Sequence, residues 1–189
     1  MFLRVNVASC LAICAWVAIL SGLAVLVGWW CELEFLKSVA TGLVAMNPAT
    51  AVGFILCGVS LLCLRHHESC VTLHRTGRAC AAIVAALGGL VIGEYIFGWD
   101  VGIDQRLFAD LLDDNQIAPN TAVNFVLLGL GLVLFDTRST RGFWPSQILL
   151  LLVAAGSMFS LVGGRPAVAM SLNLSMRTFA MILRLCSHL

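Results

Sequence analysis

Apolar and polar positions follow one another along this chain in long blocks, without the short periods of a half-buried soluble helix or strand. Five stretches carry no Asp, Glu, Lys or Arg, at residues 5–31, 38–64, 79–93, 115–135 and 142–164. A hydrocarbon core about 30 Å thick takes about 20 residues of helix, so these blocks predict membrane-spanning helices. The third block reaches that length only by including Glu94 to Phe97. A last apolar run, 166–189, is interrupted by Arg177 and Arg184. If this run spans, Arg177 lies near mid-membrane, where an unpaired charge costs roughly 2.5–3.5 kcal/mol, and Glu94 is the acid expected to hold it. The other arrangement is a helix lying flat at the interface, basic side outward. The spanning arrangement completes an all-α integral membrane protein of about six transmembrane helices. Arg4 precedes a first run far longer than the h-region of a signal peptide, which reads as a retained helix.

A repeat organises these blocks. Met46-Asn47-Pro48-Ala49-Thr50-Ala51-Val52-Gly53-Phe54 aligns with Ile117-Ala118-Pro119-Asn120-Thr121-Ala122-Val123-Asn124-Phe125, and Leu56, Gly58 and Leu61 continue over Leu127, Gly129 and Leu132. Proline suits the first helical position because its missing N–H would have no partner there, while Asn or Thr beside it can cap neighbouring donors. Each copy therefore predicts the start of a return helix, with Pro48, Thr50, Pro119, Asn120 and Thr121 as its marks. A fainter third copy begins at Met170-Ser171-Leu172-Asn173 without its proline. The predicted unit is a helical hairpin used two or three times, over residues 5–65, 79–136 and 142–189 of a single domain.

Composition agrees with a lipid solvent: 60% of residues are hydrophobic and 11% charged, against about a quarter charged in soluble domains. The net charge of +1 and the lack of a basic stripe argue against nucleic acid as a partner. The charges lie between the blocks. Arg65, Arg75, Arg78, Arg138 and Arg141 dominate two connections; Asp100, Asp104, Asp110, Asp113 and Asp114 face Arg106 alone in another. Because Lys and Arg favour the cytoplasmic side, this alternation predicts a multi-pass protein of a bacterial inner membrane with a cytoplasmic amino terminus and an acidic outer loop. Eight cysteines lie mostly inside apolar runs or beside basic loops and do not form a disulfide framework. Cys10 and Cys14 are read as packing residues, and no metal or cofactor is predicted.

Candidate chemistry concentrates at Glu94-Tyr95-Ile96-Phe97-Gly98-Trp99-Asp100-Val101-Gly102-Ile103-Asp104-Gln105. Trp99 and Tyr95 suit headgroup depth, and Gly98 suits a helix end. Asp100 and Asp104 either gather a cation or stand in a solvated loop without EF-hand spacing. Glu94 either reaches the interface or pairs within the membrane. His66, His67, His74 and His188 read as parts of solvated basic ends, and no nucleophile triad, P-loop or zincin motif points to an enzyme. Ala81, Ala85, Gly89 and Gly93, four apart, form a small-residue ridge that admits another helix, from the same bundle or a membrane-protein partner.

The stretch Gly98 to Gln105, with Ala118-Pro119-Asn120-Thr121-Ala122 after it and Met46-Asn47-Pro48-Ala49-Thr50-Ala51 before it, resembles the multi-helix membrane input region of bacterial sensor histidine kinases and diguanylate cyclases. The resemblance covers about residues 40–136 well. In that family, kinase or cyclase domains follow the membrane region, whereas this sequence stops at Leu189. The resemblance implies a non-catalytic, sensor-like input module without its output domain, acting through contact with a partner protein. The rival expectation is an accessory subunit of a respiratory or photosynthetic membrane complex.

Overall fold

Proline sets half of the helix starts among the described residues. The computed structural model describes residues 2–37, 45–65, 71–98, 117–137 and 144–162, and all regular structure among them is helical. The helices are α1 (Phe2–Trp30), α2 (Glu34–Lys37), α3 (Pro48–Leu64), α4 (Val71–Phe97), α5 (Pro119–Val133) and α6 (Pro145–Val162). Three of them open on proline, where a fixed φ is pre-set for the helix and no N–H is lost. The Asn47 side chain caps α3 by accepting the Ala49 N–H at 2.8 Å. Ala118 cannot cap α5 with a side chain, and its carbonyl instead accepts from Thr121 and Ala122. At the other helix ends the chain leaves α1 and α4 through left-handed residues, Glu32 with φ 56° and Gly98 with φ 65°.

Each long helix packs on the next in the order α1, α3, α4, α5, α6, and α3 also touches α5. Neighbours run antiparallel, because Trp29 at the end of α1 meets Met46 before α3, and Tyr95 at the end of α4 meets Ile117 before α5. Phe54 of α3 and Phe125 of α5, which align in the sequence repeat, meet edge to face with centroids 6.1 Å apart. Pro48 and Pro119 thus lie at the same end, where Ala49, Val91, Ile117 and Ala122 form one cluster. The opposite end holds Leu64, packed with Ala81, Leu132 and their neighbours.

The two hairpins share one contact pattern. A Cβ on Gly22 of α1 would lie 2.6 Å from the Ala51 carbonyl oxygen of α3, and one on Gly58 would lie 2.6 Å from that of Ala15. In the second hairpin a Cβ on Gly88 of α4 would lie 2.5 Å from the Ala122 oxygen of α5, and one on Gly129 would lie 2.7 Å from that of Ala81. Ala15, Gly22 and Trp29 therefore correspond to Ala81, Gly88 and Tyr95, each set spaced by seven residues. That spacing keeps the three residues on one seam of the helix. Val25 and Val91, both buried, obey the same register. A third contact continues the series: Ser60 of α3 donates to the Gly77 carbonyl of α4 at 2.8 Å, and the aligned Gly131 of α5 faces Leu149 of α6.

The small-residue ridge divides between two faces. Ala81 and Ala85 lie against Gly129, whereas Gly89 and Gly93 have open space where a Cβ would stand. A four-residue step drifts around a helix of 3.6 residues per turn, and the seam follows Ala81, Ala85 and Gly88 instead. Among the described helices, Ser9–Trp30 and Val71–Phe97 are long and apolar enough to cross a membrane; Pro48–Leu64, Pro119–Val133 and Pro145–Met158 are shorter. With 17 and 15 residues, α3 and α5 extend only about 25 and 22 Å. Of the third predicted hairpin only α6 belongs to the described residues, and Arg177 lies outside them.

Gly129→Val should force α5 away from α4 and lower stability by about 1–3 kcal/mol, as overpacking does. Gly89→Ala, with room for its methyl group and a better helix former in place, should leave the melting temperature unchanged or raise it. Thermal unfolding of both variants in one detergent checks the difference.

Candidate functional site

Two equivalent hydrogen bonds close the proline end of the hairpins. The Trp29 indole N–H donates to the Met46 carbonyl at 2.8 Å, and the Tyr95 hydroxyl donates to the Ile117 carbonyl at 3.1 Å. Met46 and Ile117 each stand two residues before the proline that opens the return helix. A carbonyl at that point lies before the first helical turn and needs an acceptor's partner from elsewhere. The aromatic side chain supplies it from the neighbouring helix and fixes how the chain enters the return helix. Trp29 is only 4% exposed, so it is a buried clamp.

The second clamp adjoins the richest chemical segment of the sequence. Glu94 precedes Tyr95 on α4 and occupies the place that Gly28 holds in the first hairpin. It is half-buried, and its Oε1 is shut off from solvent with no hydrogen-bond partner among the described residues. Pro48 and Thr50 are buried at the start of α3, while Pro119 and Asn120 are exposed and Thr121 half-buried at the start of α5. The Asn120 side chain accepts from the Thr121 N–H at 2.9 Å. Glu94 and the start of α5 thus share the proline end of one hairpin. Trp99, Asp100, Asp104 and Gln105, like Arg177, lie outside the described residues.

The opposite end of the same hairpin brings His74 and Arg78 to Asp136. Nε2 of His74 on α4 lies 3.1 Å from Oδ2 of Asp136, just beyond α5, and the Arg78 guanidinium lies 3.9 Å from that oxygen. Asp136 and His74 side chains are 16% and 23% exposed, so this His is an interhelical partner and not part of a solvated basic end. Between α5 and α6, Gly156 leaves room for the Asn124 side chain, whose Nδ2 lies 3.5 Å from Ser157 Oγ. Among the described residues, no three His, Cys, Asp or Glu side chains gather as metal ligands.

The clamps and the ion pair escape a search of the sequence by motif. The first hairpin separates its clamp residues by 17 positions and the second by 22, so one alignment cannot register both helices of both hairpins. The available signal was the seven-residue series ending in an aromatic, Ala15-Gly22-Trp29 and Ala81-Gly88-Tyr95. The chain matches no protein-family model, and neither a characterised protein nor a solved structure matches it.

Tyr95→Phe removes one donor from a partly buried carbonyl and should cost about 1 kcal/mol. Trp29→Phe also opens space in the core and should cost about 2–3 kcal/mol. Denaturation of the two variants in mild detergent reads this order; equal losses would show that Trp29 contributes no more than its hydrogen bond.

Proposed function

We propose that this chain is a bilayer-embedded, sensor-like input module of a bacterial cytoplasmic membrane, non-catalytic, acting through contact with a partner protein. The observation that carries the reading is the coupling of α4 to α5 at both ends. Tyr95 holds the hairpin next to Glu94, His74 and Arg78 meet Asp136 at its far end, and close glycine contacts join the two helices between. Contacts at both ends and between them tie the two helices together, so a displacement at one end is carried to the other. The resemblance to sensor input regions takes in this hairpin together with the start of α3. With the basic connections cytoplasmic, the clamps face outward and the His74–Asp136 pair faces the compartment of a kinase or cyclase.

A bilayer accounts for α1. Ile13, Trp16, Val17, Leu20, Leu23, Val27 and Trp30 are all exposed along it, a face too apolar and continuous for water. The same face favours a second reading, an accessory subunit of a respiratory or photosynthetic complex, in which a neighbouring subunit covers α1.

In intact cells, Asp110→Cys should react with an impermeant maleimide; labelling only after lysis would overturn the orientation. Purification of the chain under mild detergent should recover a histidine kinase or cyclase, with recovery lost in Tyr95→Phe if the coupled hairpin carries the contact. Recovery of an energy-converting complex, unchanged by Tyr95→Phe, would favour the accessory subunit and overturn the sensor reading.

A further inference from the structure

The end of the bundle opposite the prolines carries more positive charge than its own acids neutralise. Among the described residues, Arg65 after α3 and Arg75 and Arg78 in the first turns of α4 stand there against Asp136. Asp136 is already engaged by His74 and Arg78. The first turn of α4 has no acid, although the amino-terminal end of a helix is itself positive and favours anions. Arg75 and Arg78 lie three residues apart, hence on one face, and both are exposed. No described residue forms an ion pair with Arg75. One turn further along that side of α4, Ala79, Ala82 and Ile83 are exposed as well, so the guanidinium groups border directly on uncovered apolar surface.

We propose that Arg75 and Arg78 form a docking site for the phosphate headgroup of an anionic phospholipid in the inner leaflet. The inference rests on the membrane reading above. A guanidinium presents several N–H donors in a planar fork that matches phosphate oxygens. Charge complementarity selects an anion, and the adjoining Ala79, Ala82 and Ile83 select an amphiphile, since a soluble acidic protein would use the arginines and leave the apolar surface uncovered. Asp136 lies 3.9 Å from Arg78, beyond hydrogen-bond distance, and the Arg78 side chain stays 44% exposed to a second anion.

The full-length chain, in micelles doped with equal amounts of phosphatidylglycerol and phosphatidylcholine, is examined by native mass spectrometry. Phosphatidylglycerol should be retained over phosphatidylcholine by roughly five-fold per engaged arginine. Arg75→Gln should lower that preference, Arg75→Gln with Arg78→Gln should bring it close to parity, and Arg75→Lys should restore much of it. Equal retention by the parent chain, or a preference unchanged in the double variant, overturns the proposal. If the double variant fails to fold, Arg75→Gln alone decides, because Arg75 takes no part in the Asp136 contact. A disulfide-linked dimer through Ala82→Cys in bilayers, with loss of phosphatidylglycerol retention, would give this face to a second copy and likewise overturn the proposal. Release of the chain from membranes by alkaline carbonate would defeat the membrane reading itself; retention with equal lipid binding would defeat the headgroup site alone.

Discussion

The closeness of α1 to α3 and of α4 to α5 is the constraint on which the remaining contacts depend. At Gly22, Gly58, Gly88 and Gly129, a methyl group would meet backbone atoms of the facing helix at 2.5–2.7 Å. Where the surroundings are as apolar as the side chains, burial against a second helix gains little from the hydrophobic effect. Association must then come from close packing and from hydrogen bonds between helices. Small residues at the crossing points let the backbones approach, and the approach brings Trp29 within reach of Met46 and Tyr95 within reach of Ile117. Bulkier residues would lose the dispersion contacts and the clamps together.

The hairpins are alike in this frame and differ at particular places. Gly28 of the first corresponds to Glu94 of the second, Asn47 to Ala118, Gly53 to Asn124 and Ser60 to Gly131. In the first hairpin Asn47 caps its own helix, α3, and Ser60 reaches across to the Gly77 carbonyl of α4. In the second, Glu94 is half-buried next to the clamp, Asn124 faces α6, and His74 and Arg78 meet Asp136 at the far end. Those substitutions load one copy of a shared scaffold with chemistry. They concentrate the polar and charged side chains on α4 and α5 and not on α1 and α3.

Local physics was legible residue by residue. Pro48 and Pro119 declare helix starts because a ring that fixes φ and lacks an N–H fits the first turn whatever packs around it. Gly98 declares a helix end because its φ of 65° suits a residue without Cβ. Glu32 reaches φ 56° at the corresponding place in the first hairpin and was not legible, since no side-chain rule marks Glu for that conformation. Ala81 and Ala85 line the crossing with Gly129, whereas Gly89 and Gly93, which the four-residue spacing joins to them, leave the seam.

What the sequence determined by itself was therefore the apolar blocks, the helices they form and the prolines that begin them, all consequences of neighbours along the chain. The tertiary structure decided which face of each helix is a seam, which carbonyls Trp29 and Tyr95 satisfy, and that His74 belongs with Asp136. The physical reason is the unequal connections, 17 residues between the clamp partners in one hairpin and 22 in the other. A connection can lengthen without moving the helices it joins, so correspondence between the hairpins is kept in space and lost along the chain. Only the packed helices, held at glycine distance, restore it.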